Sequence, residues 1–440
     1  MTVVPLAEAT TLPRPEYARD PEKASIVHFG LGNFHRAHQA MYLDRLLAAG
    51  ETDGGICGVG VLPSDVRMRD ALAGQDHLYT LVLKAPDGGV HAQVIGSVVD
   101  YLFAPENPSA VVDRLADPVT RIVSLTITEG GYVLPEIEDP SAPSAFSLIV
   151  DALARRRDAG AAPFTVMSCD NLQDNGRIAA RVVIECARNR NEELAAWIEQ
   201  KVAFPCSMVD RITPTTTEED RALLRDRFGV DDAWPVVAEP FAQWVLEDRF
   251  TDGRPSLEKA GVQVVDDVRP YELMKLRLLN ASHQALAYFG MLLGHTYAHE
   301  TASDPLVQGL LRAYMAEARM TLAPVPGIDL DEYQATLLVR FSNPAIADTL
   351  ERLGTDSINR MATFVLPVLE ESIAAGRMPR AALSIVTAWM TAKPAQSAEA
   401  EGATPMLDRL LEDDGVAAAL AADRRELGAV GAGEFLRRYL

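Results

Sequence analysis

Apolar residues along this chain follow two rhythms, and one gives way to the other near residue 270. Before that point, short unbroken apolar runs alternate with amphipathic stretches. Residues 25–29, 56–62, 121–128 and 164–168 are too short for helices and rich in Val and Ile, so they predict buried strands. Residues 78–83 and 90–99 flank Pro86-Asp87-Gly88-Gly89, a turn sequence, and predict a β-hairpin. Residues 235–238 and 262–265 predict two further short strands. Residues 34–49 repeat apolar side chains at helical spacing, with Met41, Leu43, Leu46 and Leu47 toward the core, and 174–202 predict one long helix. Short buried strands alternating with helices imply an α/β fold with a mostly parallel sheet covered on both faces. The lead-in 1–23, with Pro5, Pro13, Pro15 and Pro21, is expected to be extended.

After residue 270 nearly everything reads as helix: 271–293, 306–320, 331–341, 344–353, 361–375 and 380–393. Residues 394–405 read as a polar loop, and the tail to residue 440 is helical again. The 440 residues exceed the ~250–300 that one core normally serves. Two domains are therefore expected, 1–270 with the sheet and 271–440 mainly helical.

Charge narrows the partners. Asp and Glu number 62 against 41 Lys and Arg, a formal net charge of −21. Such a surface repels phosphate backbones and anionic membranes, so neither nucleic acid nor membrane is expected as a partner. No apolar stretch approaches the ~18 residues of a membrane span. Cys57, Cys169, Cys186 and Cys206 form no CxxC pair and no disulfide framework. Residues 1–23 lack a basic and then apolar leader pattern, so a cytoplasmic location is expected.

Candidate chemistry begins at Gly30-Leu31-Gly32-Asn33-Phe34-His35, directly after a strand and before a helix. A parallel sheet opens at such a point to hold a dinucleotide, its glycines letting the backbone approach a pyrophosphate. The third glycine of a full GxGxxG is His35 here, and a simple strand-to-helix turn explains the two glycines equally well. Asp65, just past the second strand, is placed to accept hydrogen bonds from ribose hydroxyls, which favours NAD over NADP. Arg67 and Arg69 nearby could admit a phosphate instead, and Asp65 also suits a helix N-cap. Ser168-Cys169-Asp170-Asn171 ends another strand; Asn171 fits either a helix cap or a carbonyl-polarising donor. Asp210-Arg211 lies in an apolar setting and reads equally as a structural ion pair.

One helix carries the sharpest signal. Lysine is scarce (Lys23, Lys84, Lys201, Lys259, Lys275, Lys393), yet Lys275 falls on the apolar side of residues 271–293. At ~100° per residue, His283 lies about 80° and Asn280 about 140° from it. Burying a polar group without a partner costs roughly 2–7 kcal/mol, so each must be satisfied or used. Desolvation lowers a lysine pKa, which makes Lys275 a usable general base near neutral pH. His295 and His299, with Glu300, have i, i+4 spacing, but no third His or Cys lies nearby, and no metal site is expected.

These residues lie in segments that resemble the polyol-specific long-chain dehydrogenases, the mannitol 2-dehydrogenase family. The matching stretches are IVHFGLGNFHRAHQA (26–40), ICGVGVLPSD (56–65), SLTITEGGY (124–132), MSCDNLQDNG (167–176) and MVDRITP (208–214). AWPVVAEPFAQWVLED (233–248), PYELMKLRLLNASHQALAY (270–288), LAPVPGIDL (322–330) and RFSNPAIADTLER (340–352) complete them. The resemblance implies a Rossmann-like NAD-binding domain, a helical substrate and catalytic domain, and a monomer. It implies zinc-free oxidation of a sugar alcohol to a ketose with NAD, for example D-mannitol to D-fructose, or D-arabinitol or D-sorbitol as substrate. Lys275 would be the base, Asn171 and Asn280 an oxyanion hole, and His283 the residue that orients the hydroxyl. Glu272 would sit at a proton-conducting water channel, and Asp210, Arg352 and Arg360 would bind distal hydroxyls. Gly30, Gly32, Asn33, Phe34, His35, Arg36, Asp65, Thr126, Thr128 and Glu129 would line the cofactor. Two departures stand out: Arg360 replaces a lysine of the mannitol enzymes, and Asp65 has Ser64 beside it instead of a second acid. A hexuronate reductase acting on fructuronate or tagaturonate, and a non-catalytic NAD-binding protein, are the competing readings.

Overall fold

Four of the apolar runs and one hidden strand build a single sheet. They are β1 (Ile26–Phe29), β2 (Ile56–Gly60), β3 (Val98–Phe103), β4 (Ile122–Leu125) and β5 (Thr165–Ser168). In this computed structural model, which describes residues 3–133, 143–400 and 404–440, they pair in the order β3-β2-β1-β4-β5, every pair parallel. That is the Rossmann order, with its reversal between β1 and β4. Alternate side chains serve two separate cores, as the two-residue period of a strand requires. Val27, Phe29, Cys57, Val59, Val123, Leu125 and Val166 pack with Phe146, Ile149 and Val183. Ile26, Ile56, Val98, Ile122 and Met167 pack on the other face with Met41, Leu43 and Leu46.

The chain divides into two compact units, Met1–Lys84 with Val90–Arg269, and Ala85–Gly89 with Pro270–Leu440. In the first unit the hairpin forms as Tyr79–Lys84 against Val90–Ile95, with Val236–Ala238 added in parallel. Residues 90–99 are not one strand, however. The chain leaves the hairpin at Gly96-Ser97, where the Ser97 hydroxyl donates to the Ala40 carbonyl (2.7 Å), and resumes as β3 in the main sheet. The expected helix 34–49 is two, Asn33–Ala37 and Gln39–Ala48, broken at His38. The expected helix 174–202 is also two, Asn175–Arg188 and Glu192–Lys201. Asn191 starts the second by accepting from the Glu193 and Leu194 amides. Ser207–Asp210 and Gln243–Glu247 form an antiparallel pair that the apolar pattern did not reveal. The lead-in is anchored, with Val4–Pro5 paired to Val230–Asp231 and Leu6, Ala9 and Leu12 buried.

The second unit is helical. Its central rod runs as Arg269–Met274, a π-helical turn Lys275–Asn280, and Ala281–Leu293. It packs against Pro305–Arg319, Arg380–Ala392 and Asp414–Leu436. A Cβ at Gly290 would stand 2.3 Å from Thr301 Oγ1 and 2.5 Å from Leu350 Cδ1, so only glycine lets these segments approach the rod. A second π turn, Met361–Val365, interrupts the helix that starts at Ser357–Arg360 and ends at Leu366–Ala374. The expected helix 344–353 shrinks to Leu350–Leu353. Within 394–405, read as a loop, Pro394–Ala400 is a helix, and 401–403 lie outside the described residues.

Candidate functional site

In the first unit the predicted residues gather at the carboxyl ends of β1, β2, β4 and β5, where open α/β sheets bind ligands. Gly30 follows β1 with φ +85°, and a Cβ there would lie 2.2 Å from the Thr126 carbonyl oxygen. Only glycine permits that crossing of the chain after β1 with the chain after β4. The Thr126 hydroxyl donates to the Gly30 carbonyl (2.8 Å), and His28 Nε2 lies 2.9 Å from the same hydroxyl. His28 Nδ1 lies 2.8 Å from Ser124 Oγ. The network is self-consistent with Nε2 protonated and Nδ1 accepting from the serine. His35 stacks on His28 with ring centroids 3.4 Å apart. Burial lowers the His28 pKa to about 3 and holds His35 well below the usual histidine value, the neighbouring His28 adding to the effect. Both rings are neutral at physiological pH.

The turn itself is surface: Gly32 is exposed, and Asn33 and Phe34 are half-buried. Arg36 turns inward. It is fully buried, donates to the Trp234 carbonyl (2.6 Å) and Asn33 Oδ1 (2.7 Å), and lies over the Tyr79 ring. Desolvation lowers its pKa to about 10. Arg211 donates to the carbonyls of Ala37 (2.6 Å) and Glu239 (2.9 Å), clamping the break at His38. Asp65 Oδ2 accepts from the Val61 and Leu62 amides (3.0 and 2.9 Å), folding the loop after β2 back on itself.

Thr128 is strained, with φ 63° and ψ 170°, a region that β-branched residues avoid. Asp170 holds it there. Its carboxylate accepts from the Ile127 amide (3.1 Å), the Thr128 amide (2.8 Å) and the Tyr132 hydroxyl (2.8 Å). Burial and then the Asp170 charge push the Tyr132 pKa up. Glu129 opens the short turn Glu129–Tyr132, and its side chain lies outside the described residues. Asn171 is exposed and caps no helix; the next helix begins at Asn175. Fully buried Asn175 donates to the carbonyls of Asp170 (2.9 Å) and Ser207 (2.8 Å) and accepts from the Ser207 amide (3.0 Å). It thereby ties the loop after β5 to the strand Ser207–Asp210, whose last residue is buried. Asp170 and Asn175 were missed as framework residues, although both sit in the quoted stretch 167–176. A short buried acid beside a strand end was the available signal.

In the second unit, Glu272, Lys275, Asn280 and His283 share the central rod. Glu272, Lys275 and Asn280 are buried and His283 is half-buried. A regular α-helix would set Lys275 and Asn280 about 140° apart. The π turn changes this, because its hydrogen bonds run from i to i+5 and each residue turns through less than 100°, which narrows the angle between them. The His283 ring lies 4.8 Å from the Phe341 ring, centroid to centroid. Arg352 is exposed and forms a two-pronged ion pair with Asp348. Arg360, directly before the second π turn, donates to the Leu353 carbonyl (3.1 Å). Among the described residues no group of three or more His, Cys, Asp or Glu could hold a metal ion, and no helix is long and apolar enough to cross a membrane. All four cysteines are buried and none is in a disulfide.

Comparisons with known proteins span the whole arrangement. Residues 24–259 match the mannitol dehydrogenase Rossmann domain, and 267–426 match the mannitol dehydrogenase C-terminal domain. The mannitol 2-dehydrogenase of Phaeosphaeria nodorum is 47% identical over 405 residues, 87% of this chain and 71% of that protein. The solved ternary complex of Pseudomonas fluorescens mannitol 2-dehydrogenase with NAD and D-mannitol superposes with a TM-score of 0.86. It is 43% identical, covering 98% of this chain and 97% of that one. A solved substrate-free D-sorbitol dehydrogenase gives a TM-score of 0.88 at 36% identity, covering 99% and 100%.

Proposed function

The chain belongs to the mannitol dehydrogenase family, and from that premise we propose that it is an NAD-dependent polyol dehydrogenase. It oxidises one secondary hydroxyl of a sugar alcohol to a ketose without a metal, with D-mannitol, D-arabinitol and D-sorbitol as the candidate substrates. The observation that carries the reading is a buried amine and a buried carboxamide in one π turn, Lys275 and Asn280, within a chain 43% identical to an enzyme solved with NAD and D-mannitol.

The residues present fit a dinucleotide. Gly30 lets the chain after β1 cross the chain after β4, and exposed Gly32 with half-buried Asn33 and Phe34 stands at the surface for the pyrophosphate. His35 and Arg36 support this turn from beneath. The pinned Asp65 carboxylate suits ribose hydroxyls and repels a 2′-phosphate. Thr126, Thr128 and Glu129 are assigned to the nicotinamide side. NAD, when bound, supplies the nicotinamide ring that accepts a hydride.

The chain's own residues do the rest. Lys275, buried on the rod, is assigned as the general base that takes the hydroxyl proton. Asn280 and Asn171 donate hydrogen bonds to the oxygen as it becomes an alkoxide; one such donor is worth ~2.7–4 kcal/mol in comparable sites. His283 orients the hydroxyl and Glu272 passes the proton outward. Asp210, Arg352 and Arg360 are assigned to the distal hydroxyls. Arg352 is already paired with Asp348, and Arg360 brings a planar fork where a lysine would bring a point charge. A monomeric, cytoplasmic enzyme is part of the same reading.

A substrate panel tests it. NADH formation with mannitol, arabinitol or sorbitol, undiminished by chelators, is the expected result. Reduction of fructuronate but not fructose would make the chain a hexuronate reductase. Binding of NADH with no turnover on any substrate would leave a non-catalytic protein.

A further inference from the structure

The π turn Lys275–Asn280 has no local cause. Its sequence, Lys-Leu-Arg-Leu-Leu-Asn, holds neither proline nor glycine, and five of these six residues are strong α-helix formers. The second π turn, Met361–Val365, does have one. Pro367 has no amide to donate and its ring would press on the carbonyl of residue 363 in an α-helix, which a wider turn relieves. The first turn must therefore be held open from outside.

Arg277, in the middle of that turn, is gripped at both its side chain and its main chain. Its side chain is buried, and Nη1 donates to the Thr321 carbonyl (2.6 Å) and Glu371 Oε2 (2.7 Å), while Nη2 donates to Glu371 Oε1 (2.6 Å). Its own carbonyl accepts from the hydroxyl of Tyr314 (2.9 Å), which is fully buried on the helix Pro305–Arg319. Glu371 stands on the helix Leu366–Ala374, just past the second π turn. A guanidinium–carboxylate fork is charge-assisted and directional, so these anchors define a rotation as well as a position. Relaxing the turn to α geometry would open the angle between Lys275 and Asn280 to about 140°.

We propose that the Arg277–Glu371 fork and the Tyr314 hydroxyl form a clamp that keeps the rod π-helical and so sets the geometry of Lys275 against Asn280. Arg277 is a positioning residue and touches no substrate. The proposal rests on the reading of Lys275 as the base.

The test uses the full-length chain and four variants: Glu371→Ala, Glu371→Gln, Tyr314→Phe and Lys275→Ala. A misplacement of ~1 Å can cost about 10²-fold in rate. Glu371→Ala is expected to lower kcat for polyol oxidation by about tenfold or more and to move the kcat–pH limb that reports the base. NADH affinity, read by fluorescence titration, stays at the wild-type value. Glu371→Gln, which keeps an acceptor for the fork, restores part of the rate. Tyr314→Phe gives a smaller change of the same kind and serves if Glu371→Ala does not fold. Unchanged kcat and pH profile in both Glu371→Ala and Tyr314→Phe, with Lys275→Ala inactive, would overturn the clamp and leave the base standing. So would a loss of active protein with no shift of the pH limb. An active Lys275→Ala would instead overturn the base, and the clamp with it.

Discussion

The two units bring polar groups together in opposite ways. In the first, the candidate residues come from separate loops at strand ends, far apart in sequence, and buried hydrogen bonds knit those loops into one surface. His28 and Thr126 hold Gly30, Asp170 holds Thr128, and Asn175 holds the loop after β5. In the second, four candidates lie within one rod, and a change of helical pitch decides how they face. The loop site spreads its geometry over many bonds, each holding one segment. The rod concentrates it in a single turn, so one contact there can move two groups at once. Damage in the first unit should therefore be graded and should fall on cofactor affinity, whereas damage in the second should be abrupt and fall on turnover.

The largest effect tests the abrupt side. Lys275→Ala is expected to reduce kcat by at least about 10²–10⁴-fold, the usual range for a positioned acid or base, with NADH affinity nearly unchanged. Steady-state kinetics beside a fluorescence titration reads both. If NADH affinity falls in step with kcat, the division of labour between the units is wrong.

A middling effect tests the graded side. Gly30→Ala places a methyl group 2.2 Å from the Thr126 oxygen at φ +85°, so the two chain segments must part. NADH affinity is expected to weaken by at least about tenfold, ~1.4 kcal/mol. The value of kcat at saturating NAD should stay close to wild type. A variant with normal affinity would show that the crossing of the chains after β1 and β4 does not shape the cofactor turn.

How much of this could be read from the sequence depended on whether the local chain had to break its own pattern. Gly30 and Gly32 interrupt an apolar run, so the turn after β1 was visible, as were β1, β2, β4 and β5. The strand β3 was not, because the apolar run 90–99 continues across Gly96-Ser97 while the chain changes sheets. His38 was missed as a helix break because the core-facing spacing of Met41, Leu43 and Leu46 continues past it. The breaks are held by distant groups, Arg211 on the Ala37 carbonyl being one. Lys275, Asn280 and His283 were legible as polar residues on an apolar helix. Their mutual angle was not, since 100° per residue fails inside a π turn held by Arg277, Tyr314 and Glu371. Residue identity reported the parts, and tertiary contacts supplied the register.

The smallest effect sharpens the comparison through pH. His28 and His35 lie stacked at the turn after β1, facing Ser124, Thr126, His38 and Arg36. Their folded-state pKa values are depressed, His28 to about 3, against an ordinary 6.5. Between those values the unfolded chain binds protons that the folded chain refuses, so stability rises with pH and is lost on acidification. Moving from pH 7.5 to 6 should cost about 0.8 kcal/mol through His28, and His35 acts in the same direction. Half-buried Asp44, whose carboxyl pKa is raised by desolvation, works in the opposite direction, gaining folded-state stability as pH falls. The clean measurement is therefore a difference, the thermal midpoint of wild type minus that of His28→Gln across this range. The midpoint should fall more steeply for wild type, and the NADH affinity of wild type should weaken with it. Parallel curves for the two proteins would mean that the stacked pair carries no proton linkage. The graded behaviour of the first unit would then have to come from its loops alone.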